Sequence, residues 1–279
     1  MNKIDWPRKP TRWIENRILF VSIPFTWNLP ALAAEFQHTD MEYDRIIVGG
    51  PAMALMPGFF IGRADHVVVK KHMEGVLQRV NPLATRTTEG CPNKCGFCGV
   101  KIIEPTWREL GDWPDNPILC DNNLLAAETP HFDRVMDRLE KHGWCDFNQG
   151  LDCRLLTGYH AERIGRVRKA IVRLAIDSDA VVDEWFRAAN LLRTHKTAKS
   201  RIRSYVLCGF RDDPADAWRR CELVEKWGAM PCPQWFHDLN AMEFNAVTEE
   251  QKRHGWTKAK RTHLMRHFYR HTDGNGSHK

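Results

Sequence analysis

Cys91, Cys95 and Cys98 stand in a C-x3-C-x2-C run, with Pro92, Asn93, Lys94, Gly96 and Phe97 between them. Three thiolates this close can wrap one iron–sulfur cluster, and because a cubane holds four irons, three protein ligands leave one iron open to a small molecule. An open iron implies chemistry and not electron storage alone. Zinc is the competing occupant, but a structural zinc site closes with four ligands. The nearest flanking histidines, His72 and His131, lie outside normal ligand spacing. Nine cysteines in all, none before Cys91, are an odd number in a long chain, which favours metal or catalytic roles over a disulfide framework. Cys120, Cys145, Cys153, Cys208, Cys221 and Cys232 sit in apolar contexts and read as core filling. Cys232, between Pro231 and Pro233, is the one of these to test as a hydrogen-atom donor or methyl carrier.

The elements that must position the triad read as an α/β chain. Residues 17–24, 44–50 and 64–69 are short apolar runs of the kind that form buried parallel strands. Pro30 opens an Ala/Leu-rich crossover helix between the first two. Residues 1–83 thus form a small β/α layer. From residue 84 the alternation continues: strands at 84–90, 117–121, 145–151, 170–176, 202–209 and 232–236, about six strand–helix units in all. Thr129 as N-cap with Pro130 opens one helix, which Gly143 ends; Asp213-Pro214 opens another with Ala217, Cys221 and Val224 inward. Repeated βα units build an open parallel sheet or a barrel, and periodicity does not choose between them. Residues 248–271 read as one helix opened by the capping box Thr248-x-x-Gln251.

Composition supports this reading. With 279 residues, 43% hydrophobic and 27% charged, the chain has ample length for a core, and no run approaches a membrane span. The first residues lack the basic, apolar and small-residue succession of a secretory leader, so a cytoplasmic location is expected. The net charge of +6 is uneven: residues 251–279 hold eight Lys or Arg against Asp273 alone, so the first 250 residues carry -1. Trp256, Phe268 and Tyr269 interleave with those basic residues. The mixture suits phosphate contacts with base stacking, or equally an amphipathic helix packed on the body with its charged face wet.

At the triad, with aromatic Phe97 before its last cysteine, the chain resembles the radical S-adenosylmethionine (SAM) enzymes. The resemblance covers roughly residues 84–240. It implies a partial (β/α)6 barrel over residues 84–245, with Cys91, Cys95 and Cys98 holding a 4Fe-4S cluster whose free iron is chelated by SAM. An electron from the cluster then cleaves SAM to methionine and a 5'-deoxyadenosyl radical. A reductant such as flavodoxin or ferredoxin is implied as partner. Asp121, Asn122 and Asn123 stand where the family has a Gly-Gly-Glu-like segment that meets the SAM amino group; an Asx-rich turn is the alternative. Asp177 and Ser178 look like the family's ribose-binding segment, with Asp177 in place of Glu; a helix cap is the alternative. Gly209, in 207–210, resembles the turn that passes the adenine, although Arg211 stands where Pro is usual. Gln149, Asp152 and Arg154, at the end of the third strand, are candidates for substrate contact, with a plain Asp152–Arg154 ion pair as the alternative.

Residues 1–83 resemble a truncated form of the Rossmann-like domain of the cobalamin-binding class, with Pro24, Gly49, Gly50, Asp65 and Gly75 among the matching positions. No Asp is followed two residues later by His, so the Asp-x-His-x-x-Gly cobalt-ligand motif is absent and no cobalamin is expected. The basic helical tail, 246–279, leaves three substrate classes open: an RNA or DNA nucleotide reached through residues 251–271, a peptide, or a small metabolite. A non-enzymatic iron–sulfur electron-transfer or sensor protein is the alternative from another class.

Overall fold

The computed structural model describes residues 6, 8–37, 43–64, 66–71 and 73–269. Asp65, His72 and the charged residues from Arg270 onward lie outside the described residues. The chain is α/β and packs as two compact units. One comprises residues 1–84, 98–105 and 237–244; the other comprises 85–97, 106–236 and 245–279. Among the described residues no helix is long and apolar enough to cross a membrane.

The first unit is a four-stranded sheet in sequential order: β1 (Thr11–Glu15), β2 (Ile18–Ser22), β3 (Arg45–Gly49) and β4 (Val67–Val69). The last three run parallel, as their apolar runs predict, joined through α1 (Leu29–Phe36) and α2 (Pro51–Leu55). Leu19, Val21, Ile23, Phe36, Val48 and Met53 form its core. Sequence reading did not foresee β1, because Thr11–Glu15 is mostly exposed and lacks an apolar run. It pairs antiparallel with β2 through a two-residue turn, Asn16-Arg17, both at positive φ, the geometry whose twist matches a hairpin. Two short helices, α3 (Val76–Val80) and α4 (Val100–Ile103), complete the unit.

The second unit is built on a six-stranded sheet whose strands are neighbours in chain order: β5 (Ala84–Thr85), β8 (Ile118–Leu119), β9 (Trp144–Phe147), β10 (Lys169–Ile176), β11 (Ile202–Cys208) and β12 (Met230–Trp235). From β8 to β12 every pairing is parallel. The crossovers are α5 (Thr129–His142), α6 (Gly158–Arg166), α7 (Val182–Thr194) and α8 (Pro214–Trp227). Their apolar sides meet one sheet face: Val172, Leu174, Ile176, Val206 and Cys208 pack with Trp185, Leu192, Ala217, Cys221 and Val224 in a continuous core. Asp213 caps α8 as expected, accepting from the amides of Ala215 and Asp216 at 2.8 and 2.9 Å.

Four local expectations need correction. The strand expected at 84–90 is interrupted after Thr85. Beyond it, β6 (Thr88–Glu89) leaves the sheet to pair antiparallel with β7 (Arg108–Glu109). The cause is Asp121, whose buried carboxylate accepts from the Thr87 and Thr88 amides at 2.6 Å each, replacing a strand ladder. No long helix links the first two strands of the sheet, so the βα alternation is regular only from β8 onward. The strand expected at 145–151 ends at Phe147, with Leu151 returning as an isolated bridge to Leu174. Thr129 is the first residue of α5 and not its cap; Glu128 holds the cap position without a side-chain bond.

The helix expected over 248–271 is two: α9 (Glu249–Arg253) and α10 (Lys258–Tyr269), separated at Gly255. The capping box Thr248/Gln251 is formed. α10 packs on β12 and α8, with Leu264 and Phe268 in the core. Trp256 is 1% exposed and Phe268 fully buried, so neither ring is presented for base stacking. Lys252, Lys258, Lys260 and Arg266 remain on the exposed side.

Candidate functional site

The triad lies on irregular chain following β6. None of the nine cysteines is in a disulfide; Cys91, Cys95 and Cys98 are partly exposed, whereas the other six are buried. That division separates chemistry from packing. Burial pushes the thiols of Cys120 and Cys153 up to about 12, which keeps them protonated and inert near neutral pH. Among the described residues no three His, Cys, Asp or Glu side chains are gathered as a metal-binding group. The donor set nonetheless has the chemistry of a cluster site: three partly exposed thiols outside any disulfide within eight residues, one of them facing an amide donor. Cys98 opens the segment 98–105 that groups with the first unit, while Cys91 and Cys95 belong to the second.

The loop after β8 supplies that donor. Asn123, 2% exposed, points its Nδ2 at Cys91 Sγ, 3.6 Å away, while its Oδ1 is buried without a partner. Asp121, two residues earlier, faces otherwise: besides the two amides it accepts the hydroxyls of Thr87 and Thr88 at 3.0 and 3.1 Å. Burial raises its pKa while those four bonds oppose the shift. Its carboxylate therefore holds the strand break that leads into the triad. Asn122 lies between them, partly exposed.

At the end of β10, Asp177 is partly buried and Ser178 exposed. Neither acts as a helix cap: Ser178 makes no capping side-chain bond, and no protein hydrogen bond to Asp177 is formed among the described residues. Burial raises the Asp177 pKa, opposed by the charges of Arg154 and Arg220 and reinforced by Asp152. The same group of charges reaches the triad. The Cys95 thiol is pushed up by burial and by Asp177, and drawn down by Arg154.

Asp152 and Arg154 are joined, as the ion-pair alternative expects: Arg154 Nε and Nη2 donate to the two Asp152 oxygens, each at 2.8 Å. Asn93, inside the triad loop, donates to Asp152 Oδ2 at 2.8 Å. Burial pushes the Asp152 carboxyl up, but the hydrogen bonds from Arg154 and Asn93 outweigh it and leave the group below its usual range. The third-strand end thus braces the triad loop. Gln149 is exposed on the preceding turn.

The end of β11 is a turn that only glycine accommodates. Gly209 has φ +87, and a Cβ there would meet the Trp235 ring at 2.7 Å. Its amide donates to Asp212 Oδ1 at 2.7 Å and its carbonyl accepts Gln251 Nε2 at 3.0 Å. Phe97 packs edge-on against Phe210 with centroids 5.4 Å apart, and Phe210 against Phe236 at 4.9 Å. Sequence reading missed Arg220. It is 2% exposed, pairs with Asp212 and donates to the Leu207 carbonyl at 2.9 Å, bracing the same turn from α8. Its signal was present: Arg220 follows Ala217 by three on the inward stripe with Cys221 and Val224.

Cys232 is far from these loops along the chain. It is buried on β12, register partner of Tyr205, with its pKa raised by burial and opposed by Arg203 and Arg173. The structure therefore gathers Cys91, Cys95, Asn123, Asp152, Arg154 and Asp177 at the carboxyl ends of the strands, and leaves Cys232 on the sheet itself.

No protein-family model matches this sequence, and no curated protein matches it. The fold is similar to that of a radical S-adenosylmethionine methyltransferase, TsrM from Kitasatospora setae, whose structure has cobalamin and a [4Fe-4S] cluster bound. The TM-score is 0.52 at 10% sequence identity, over 78% of this chain and 64% of that one. At that identity the likeness is one of fold, and this chain spans under two thirds of the other's length.

Proposed function

We propose that this chain is a radical SAM enzyme, its six-stranded sheet serving as the partial (β/α)6 barrel of residues 84–245. A Rossmann-like segment, 1–83, precedes it and a basic helical tail, 246–279, follows. Cys91, Cys95 and Cys98 would hold a 4Fe-4S cluster that, when bound with SAM, supplies the electron for reductive C–S cleavage and a 5'-deoxyadenosyl radical. The observation that carries the reading is Asp177: an uncapped carboxylate at a strand end, electrostatically coupled to Cys95 and without a protein hydrogen bond among the described residues.

The chain's own residues divide the work. Asp177 accepts the two ribose hydroxyls, with Ser178 beside it. Asn123 orients the Cys91 sulfur through its amide, and Asn122 is the nearer candidate for the SAM amino group, since Asp121 is spent on Thr87 and Thr88. Phe97 and Phe210 make an apolar wall, and Gly209 leaves room for the adenine beside it. Asp152, Arg154 and Asn93 hold the triad loop in place. Gln149 faces substrate. The first unit works without a corrinoid, because the Asp-x-His-x-x-Gly motif is absent from the chain. Flavodoxin or ferredoxin in the cytoplasm supplies electrons. A nucleotide substrate is served by the exposed Lys252, Arg253, Lys258, Lys260 and Arg266, without Trp256 or Phe268.

Anaerobic reconstitution followed by reduction with SAM tests the enzyme against the sensor alternative. Formation of 5'-deoxyadenosine, diminished at limiting SAM in Asp177→Ala with iron content unchanged, is the expected result. A reconstituted, reducible cluster that never cleaves SAM makes the chain an electron-transfer or sensor protein.

A further inference from the structure

The sheet face turned away from α5–α8 carries charges that the proposed chemistry at the strand ends does not use. Arg173 on β10 and Arg203 on β11 are register partners, so their side chains leave neighbouring strands side by side on one face. Like charges set directly opposite each other destabilise a sheet. Asp146 of β9 answers one of them, taking Arg173 Nη2 at 2.9 Å. Arg203 has no such answer: no acidic side chain pairs with it among the described residues, and its Nε is buried without a hydrogen-bond partner. Two guanidinium groups against one carboxylate leave this level of the sheet one positive charge in excess.

The surroundings are those of a binding site more than of a packed core. The Arg173 guanidinium lies 5.9 Å from the Tyr205 ring centre, and the Tyr205 hydroxyl is fixed by donating to the Asn148 carbonyl at 2.7 Å. Tyr205 and Cys232 are register partners one side-chain step beyond the two arginines, and both arginines bear electrostatically on the Cys232 thiol. Guanidinium is the side chain best matched to a planar or tetrahedral oxyanion, because its fork gives two parallel donors. We propose that Arg203, with Arg173 beside it, anchors an oxyanion group of the substrate, a carboxylate or a phosphate. The proposal rests on the radical SAM reading and gives that reaction a substrate with an anionic end. Arg173 precedes Asp177 by four residues, about 13 Å along a strand, a distance spanned by a small molecule anchored at one end. Tyr205 and Cys232 lie at the level between.

The test is thermal melting of the full reconstituted protein in inorganic phosphate, in acetate and in chloride at matched ionic strength. An anion that binds only the native state raises the melting temperature with its concentration. Phosphate or acetate is expected to stabilise beyond chloride, and the stronger arm identifies the group. Arg203→Gln should weaken that response tenfold or more while melting at the same or a higher temperature without the anion, since it removes repulsion. Arg203→Lys, which keeps the charge and loses the fork, should fall between, and Lys141→Gln, at an exposed position on α5, should respond as wild type. Two results overturn the proposal: neither anion stabilises more than chloride, or Arg203→Gln melts lower without anion yet keeps the full anion response, which makes the arginine structural. SAM cleavage by the wild-type protein is measured separately. Its absence sinks the radical reading while leaving the anion result to stand, and its presence with no anion response sinks the anchor alone.

Discussion

The two faces of the six-stranded sheet are made from the same strands and could hardly differ more. On β10, Val172, Leu174 and Ile176 are fully buried beneath helices, while Arg173 between them enters a face shared with Asp146, Arg203, Tyr205 and Cys232. Burying an arginine for stability alone is a poor exchange, because desolvation opposes whatever its partner returns. The helix-covered face is organised for cohesion, and the proposed oxyanion anchor would give the cost on the other face a use. The strand ends, where the triad loop meets Asp152 and Asp177, belong with the polar face in character.

The largest effect is expected at the triad. Serine at Cys91, Cys95 or Cys98 should remove the cluster's visible absorbance and all 5'-deoxyadenosine formation. The circular dichroism spectrum should stay native, because these thiols are partly exposed and outside the core. Cluster retained in any of the three variants would count against the ligand set. On the helix-covered face the expectation inverts. Leu174→Ala should cost about 2–5 kcal/mol in urea unfolding, as buried leucines do, with SAM affinity of the folded fraction preserved. A loss below about 1 kcal/mol would mean that this face is not the tightly packed one.

A smaller effect is expected at Asp177. Its replacement by Ala should weaken SAM binding by about 1.5–3 kcal/mol, the range for a hydrogen bond to a charged group, with cluster content unchanged. Equal affinity in calorimetry would leave Asp177 without a role in the site. The smallest effect belongs to Asp152. Its carboxyl lies below the usual range in the folded protein, so it binds fewer protons folded than unfolded. Its contribution is therefore complete above the ordinary carboxylate range and disappears as pH falls through the lowered value. Asp152→Asn should cost about 1 kcal/mol at neutral pH, reduced by the exposure of Arg154, and nothing in strong acid. A pH-independent difference would show that the loss is one of shape and not of charge.

How much of this was legible depends on the range of the interaction. β10, β11 and α8 could be read because a run of buried apolar residues or an Asp-Pro start is written within a few positions. The triad was legible for the same reason. β1 was not, since its pairing depends on a turn with two non-glycine residues at positive φ. The interrupted strand after Thr85 was hidden because its cause, Asp121, lies more than thirty residues downstream. Asp177 was singled out by resemblance to the family's ribose-binding segment after an apolar strand, and its role stays a proposal. The Asn123 contact to Cys91, the brace from Asn93 to Asp152 and the Arg220–Asp212 pair join loops that no local pattern connects.

The turn at Gly209 has a consequence for how the protein is made. Its carbonyl, and that of Phe236, are held by Gln251 Nε2, and the Asp212 carbonyl accepts Trp256 Nε1 at 2.8 Å. A ribosome delivers Cys91 roughly 160 residues before it delivers Gln251 and Trp256. During synthesis the thiols are thus exposed to metal and oxidant well before this strand end acquires its last tethers, and a nascent chain halted before residue 248 would carry every triad cysteine beside an unfinished wall.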